Sequence, residues 1–371
     1  MAQDDARERF DRLSGFLLED PANIHLTLEC AEAALTADLP ERALELLGTI
    51  DEAGELGEAV TNLAGIAAMR CGDQASAQAR FESLLEGRPD DPSLRFNLAW
   101  SRALAGDFEG ARSMLDEAAI ESLPQAAMLD LQLDHHLGEF EPAREKLRGY
   151  LDRYPDYGPL QAAASVLALD LNDLELAQAC ANRAADHPDA MATLGSLDLA
   201  ENRLGAARAR FERSIAVRAQ NARAHIGLGL TELASGNAAA AIEHLDRGAS
   251  QFGDHLGSWI AAGWAHYLAK DSAAARARFE TALALDDTFG EAQGSLAALA
   301  ALEGDLESAQ RRMEVARRLD RDSFSTTLAA IVLASAAGDP GKAGQMFELA
   351  ANRPLTHDGK SLVQALVEIA R

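Results

Sequence analysis

Only three cysteines, Cys30, Cys71 and Cys180, occur in 371 residues, widely separated and with no C-x-x-C pair. So odd and scattered a set argues against a disulfide framework and a zinc site and fits a reducing compartment. Long apolar runs are missing as well, so no membrane-spanning helix is expected. The opening MAQDDARERFDRLSGF has acids where a secretory signal needs a basic flank and an apolar run, and the expected location is cytoplasmic. Basic residues are in deficit, 34 Lys and Arg against 59 Asp and Glu, a formal charge of −25. That charge repels nucleic-acid phosphates and anionic headgroups and favours basic or apolar partners. No G-x-S-x-G, G-x-x-x-x-G-K-[ST] or H-E-x-x-H occurs, so the best-known hydrolase, phosphate-loop and zinc-protease signatures are absent. Composition shifts and Pro/Gly/Ser linkers are also lacking. A chain this long would ordinarily split into domains, so its even Ala, Leu and Arg background points to an array of repeats.

The repeat is visible. ARARF occurs at 207–211 and at 275–279, with relatives AQARF from Ala77 and ARERF from Ala6. Taken as a landmark, the first alanine recurs as Ala43, Ala77, Ala111, Ala143, Ala177, Ala207, Ala241, Ala275, Ala309 and Ala343, at gaps of 34 except for one of 32 and one of 30. One helical turn later stand Leu47, Phe81, Leu115, Leu147, Ala181, Phe211, Leu245, Phe279, Met313 and Phe347. Small beside large at that spacing is a packing instruction: the alanine admits a neighbouring helix, and the larger residue fills the space beside it. Gly-Asp, Gly-Glu or Gly-Asn pairs precede the landmark at Gly72, Gly106, Gly138, Gly236, Gly304 and Gly338, ending one helix and starting the next. Twelve residues before the landmark a small residue is usual, as at Ala31, Gly65, Ala99, Ser165, Gly195, Gly229, Gly263 and Ala297, with Leu131 and Ile331 as exceptions.

This pattern resembles the tetratricopeptide repeat family: small at position 8, Gly-Asp near 15 and 16, Ala at 20, large apolar at 24. Copies begin near residues 24, 58, 92, 124, 158, 188, 222, 256, 290 and 324 and cover 24–357, the strongest running from Leu256 to Phe289. The resemblance implies an all-α, right-handed superhelical solenoid of about ten helix-turn-helix repeats whose first helices line a groove. Residues 1–23 are expected to cap the amino end and 358–371 the carboxy end, because a terminal repeat otherwise leaves an apolar face in water. The short spacing before Ala207, underfilled Ala181 and the break at Asp186-His187-Pro188 suggest an irregular junction near 174–195, read either as a hinge or as a shortened connection.

Function is expected at positions that stacking does not use, which in this family are groove-facing sites on the first helix. There the chain places two apolar clusters, Ile66, Met69, Phe96, Trp100 and Met128, then Ile226, Leu230, Ile260, Trp264 and Tyr267, with Val166 between them. Asn62 and Asn97 are candidates for hydrogen bonds to a bound peptide backbone. Exposed aromatic patches mark interaction sites, although a tightly wound superhelix would instead bury them against neighbouring repeats. Trp259 falls at a stacking position and is expected in the core, and His266 reads as structural. Asp130, Asp134 and His135 share part of a helix surface, but such a trio in an acidic chain reads better as a solvated face than as a metal site. The carboxylate clamp used by some members is not formed, since Gln125 and Leu129 occupy its positions. No catalytic residue, metal or cofactor is expected. The reading is therefore a scaffold, adaptor or chaperone, bacterial in compositional style, holding an apolar, amphipathic or basic protein segment, with self-association left open. A substrate-recruiting accessory subunit and a peptide-sensing regulator are the alternatives.

Overall fold

The computed structural model describes residues 2–51, 54–320 and 323–352, and every regular element among them is an α-helix. A lone helix, α1 (Ala2–Glu19), comes first. The first helices of the pairs that follow are α2 (Ile24–Thr36), α4 (Gly57–Arg70), α6 (Pro92–Leu104), α9 (Pro124–His136), α11 (Gly158–Asp170), α13 (Pro188–Ala200), α15 (Ala222–Ala234), α17 (Leu256–Leu268), α19 (Gly290–Leu302) and α21 (Phe324–Ala336). Their second helices are α3 (Pro40–Leu47), α5 (Gln74–Gly87), α7 (Phe108–Met114) with α8 (Glu117–Ser122), α10 (Phe140–Arg153), α12 (Leu174–Arg183), α14 (Leu204–Val217), α16 (Ala238–Phe252), α18 (Ser272–Leu285), α20 (Leu306–Leu319) and α22 (Pro340–Asn352). The fold is an all-α solenoid of helix-turn-helix units. By contacts the chain divides into two compact units, Met1–Ala164 and Ser165–Arg371. The expected cap at 358–371 lies outside the described residues.

Turn chemistry sets the helix ends. After α4, the Gly72 amide donates to the Met69 carbonyl (3.1 Å) and the Asp73 amide to the Ala68 carbonyl (2.9 Å). That pairing needs a left-handed residue, and Gly72 supplies it at φ 84°. Asp73 then opens α5 by accepting from the Ser76 amide at 3.0 Å. Where the repeat lacks glycine the same conformation is kept by Asp38, Asn172, Asn202 and Lys270, with φ between 59° and 69°.

Packing follows the small-large rule. Phe81, Phe211 and Phe279 are fully buried. Each lies against the glycine of its own first helix: a Cβ added to Gly65 would sit 2.7 Å from Phe81 Cε1, and one on Gly195 2.7 Å from Phe211 Cε1. Gly263 stands in the same relation to Phe279. At the amino end, Phe10 of ARERF joins the buried cluster of Cys30, Ala31 and Ala34.

Two second helices depart from the pattern. Leu115 was expected inside one continuous helix, but there the chain is extended (φ −83°, ψ 119°), and α8 starts afresh behind it. Asp116 caps α8 by accepting from the Ala119 amide (2.8 Å), while Arg95 Nε takes the exposed carbonyl of Met114 (3.1 Å). A strong cap in mid-helix competes with helix continuation, and here the cap prevails. The 30-residue spacing has a simpler origin: α12 has 10 residues where α5, α10, α14, α18 and α20 have 14. One terminal turn is missing. The irregularity at 174–195 is thus a shortened second helix within the second unit.

Adding a methyl at Gly263 should therefore cost about 1–3 kcal/mol by overpacking against Phe279. Gly205, on a second helix with nothing within 4 Å of an added Cβ, should instead gain about 0.5–1 kcal/mol on conversion to alanine. Urea denaturation of the two variants measures both signs.

Candidate partner-binding face

In the first unit, Ile66 and Met69 on α4 and Phe96 and Trp100 on α6 are half-buried and leave part of their apolar surface accessible. The Phe96 and Trp100 rings are 5.9 Å apart. Beneath them lie buried Ala99, Leu129 and Leu133, which fix the α6 side chains from below. Asn97 Nδ2 points to Asn62 Oδ1 at 3.4 Å, so the two half-buried amides adjoin one another on this face. Met128, expected beside them, is only 8% exposed and belongs to the core.

The second cluster differs from expectation. Ile226 and Leu230 are each 3% exposed, Ile260 0% and Trp264 7%, so all four are packed and none presents a docking surface. Ile260 and Trp264 are enclosed in a cluster with Phe279, Leu296 and Ala297, and Ile226 is reached closely by α16, which carries Gly248. A Cβ on Gly248 would lie 2.6 Å from Ile226 Cδ1. Trp264 packs against Phe279 at 5.2 Å and edge-on to half-buried Tyr267 at 5.8 Å. Its enclosed indole N–H finds no hydrogen-bond partner among the described residues, a cost that the packing offsets. Trp259 is half-buried, with Nε1 donating to the Gly253 carbonyl at 2.9 Å. Val166 is also half-buried.

Asp130 and Asp134 do not form a solvated face. They are 4% and 1% exposed. Lys146 Nζ donates to both at 2.9 Å, Arg112 to Asp134 at 2.8 Å and Tyr150 to Asp130 at 2.8 Å. Burial raises the Asp134 carboxyl above its usual range even against the pull of Lys146 and Arg112. Burial also lowers Lys146, but hydrogen bonds to the two aspartates outweigh it and hold the ammonium above the ordinary lysine value. Among the described residues no group of three or more His, Cys, Asp or Glu is arranged to hold a metal ion.

The same arrangement explains the arginines of ARARF. Arg208 pairs with buried Glu232 on the next first helix, while Arg210 reaches back to buried Asp198 at 2.6 Å. Arg276 pairs forward with Glu303, and Arg278 bonds Asp246 at 2.8 Å, where His266 also points its Nε2 at 3.0 Å. Composition alone did not expose these partners. For Asp134, Asp198 and Glu232, an acid eleven residues into a copy, facing Arg or Lys near position 21 or 23, was the available signal; Glu303 and Asp246 stand elsewhere in their copies.

A further buried acid, Glu291 at the start of α19, accepts from the Ser325 amide at 3.1 Å and from its hydroxyl. Burial pushes its carboxyl up to about 7 despite these donors.

The tetratricopeptide-repeat family profile matches residues 62–127 and 192–254. The chain carries tetratricopeptide repeats. Among solved structures it is similar to a chain of the APC/C hetero-tetramer Cut9–Hcn1, with a TM-score of 0.65 at 14% identity over 88% of this chain and 66% of that one. It is similar too to the human IFIT1 dimer with PPP-AAAA, with a TM-score of 0.56 at 13% identity over 92% and 94%. At such identities the likeness speaks for the fold alone, and the chain spans slightly less than two thirds of the Cut9–Hcn1 chain. No curated protein sequence matches. Tetratricopeptide repeats serve in general as protein-interaction scaffolds and are generally non-catalytic. No helix among the described residues is long and apolar enough to cross a membrane.

Burial separates the two tryptophans energetically. Trp264→Ala should cost about 3–5 kcal/mol of stability, whereas Trp100→Ala should cost clearly less and leave helicity intact, as circular dichroism and urea melts would register. The carboxyl of Glu291 is raised in the folded state, so the stability it contributes is complete below about pH 4.5 and is lost as pH rises through about 7. The stability difference between the native chain and Glu291→Gln should therefore shift by up to about 3 kcal/mol between pH 5 and pH 8, with the glutamine variant relatively favoured at the higher pH.

Proposed function

We propose that the chain is a non-catalytic scaffold, adaptor or chaperone that holds a segment of a partner protein on the α4–α6 face. The observation that carries this reading is the pairing of partly exposed Phe96 and Trp100 at 5.9 Å, beside Ile66 and Met69. Ile226, Leu230, Ile260 and Trp264, at corresponding positions of the second unit, are enclosed, so stacking alone does not require Phe96 and Trp100 to stay accessible. Tryptophan in such a place is a frequent source of binding energy.

The segment is apolar on one side and basic on another. Residues 1–164 hold 32 Asp and Glu against 14 Lys and Arg, a net −18 of the total −25, which draws cations and disfavours a phosphate-rich ligand. Asn62 and Asn97 offer amides to the backbone of the bound segment. Three unpaired cysteines, with Cys71 exposed, favour a reducing cytoplasmic setting, and the Ala, Leu and Arg-rich composition is of bacterial style.

Affinity purification from the native cell, run in parallel with native chain and Trp100→Ala, tests the proposal. Binding should weaken by about 30-fold or more, the equivalent of roughly 2 kcal/mol at a hot spot. A partner retained equally by a folded Trp100→Ala variant contradicts it.

A further inference from the structure

Two exposed apolar patches of opposite charge lie outside the face described above. On α20, Arg311, Val315, Arg318 and Leu319 follow at intervals that place them on one side of the helix. Val315 is 42% and Leu319 41% exposed, and both arginines are exposed. Arg311 pairs with exposed Glu307 one turn earlier; Arg317 and Arg318 have no acid partner among the described residues. Cations in a last turn favour the helix dipole wherever they occur. That does not account for two large apolar side chains left in water beside them.

The second patch surrounds the turn between α1 and α2. Phe16 is 53%, Leu18 84% and Ile24 50% exposed. Glu19 and Asp20 stand among them, also exposed. The Asp20 carboxylate accepts from Asn23 Nδ2 at 3.0 Å, and neither acid meets a cation among the described residues.

We propose that these patches meet between copies of the chain, the α1–α2 turn of one molecule seating on the α20 stripe of another. The argument is complementarity. On a chain of charge −25 two copies repel in most orientations, so a productive encounter brings an acidic surface onto exposed cations, as Arg311, Arg317 and Arg318 are on α20. On α20 those cations flank apolar side chains, and at the α1–α2 turn the acids do the same, so one docking geometry pairs opposite charges and covers apolar surface together. Because the two patches differ, the contact is heterologous. It closes as a two-fold dimer if both contacts form reciprocally and extends as a filament if they do not. With five apolar side chains at its centre the interface is small, and association is weak and concentration-dependent. It does not rest on the α4–α6 reading.

The test is sedimentation velocity over a range of concentrations at low and high salt, with circular dichroism to confirm folding. The native chain should self-associate with rising concentration, less so at high salt. Glu19→Arg with Asp20→Arg should weaken this by about tenfold or more, and so should Arg311→Glu with Arg318→Glu. An equimolar mixture of the two reversed variants should recover association, since each then offers the other a matched patch. A native chain that stays monomeric, association unaltered by either double substitution, or a mixture that remains dissociated overturns the proposal.

Discussion

The structure depends on one steric exchange: a side chain removed from the first helix of a repeat so that a large one on the second can occupy the space. Phe81 against Gly65, Phe211 against Gly195 and Phe279 against Gly263 are three instances, and in each an added methyl would collide with the ring. Close approach multiplies dispersion contacts and excludes water from both helices. It also fixes the crossing of each pair, and so determines which later residues can reach one another.

The ion pairs are a product of that fixed crossing. Arg208 reaches forward to Glu232 and Arg210 back to Asp198 because the two arginines of one pentapeptide point away from opposite sides of a helix whose remaining face is committed to packing. Asp198 and Glu232 are themselves buried; removing Arg208 would leave Glu232 without a cation and with only the Asn237 amide, whereas Asp198 would keep Arg203 if Arg210 were removed. Such pairs reinforce the register: slipping one helix past another breaks the charge match as well as the seat of the phenylalanine on its glycine.

The repeat, its phase and the turns were legible in the sequence, because alanine, phenylalanine and glycine report local sterics that hardly vary with context. The expected starts at 24, 92, 124, 158, 188, 222, 256, 290 and 324 coincide with the first residues of helices, and the start near 58 falls one residue after Gly57. Exposure was less legible. Trp100 and Trp264 occupy the same place in their copies, yet one is half-open and the other enclosed. Trp264 is covered by Phe279, Tyr267 and the cluster around Leu296 and Ala297, a tertiary context that one position's residue type does not encode. Asp130 and Asp134 were misread for a related reason: charge suggests solvent until Lys146, Arg112 and Tyr150 are seen to close over it.

The placement of the indoles gives the molecule a built-in optical label for each half. Of its three tryptophans, Trp100 alone belongs to the unit Met1–Ala164, while Trp259 and Trp264 belong to the other. The first emits from a half-wet environment and Trp264 from a dry one. Trp259 is half-buried like Trp100, so once it is replaced by phenylalanine, quenchers and denaturants will follow the two units by the colour and accessibility of the remaining indoles, without an attached dye.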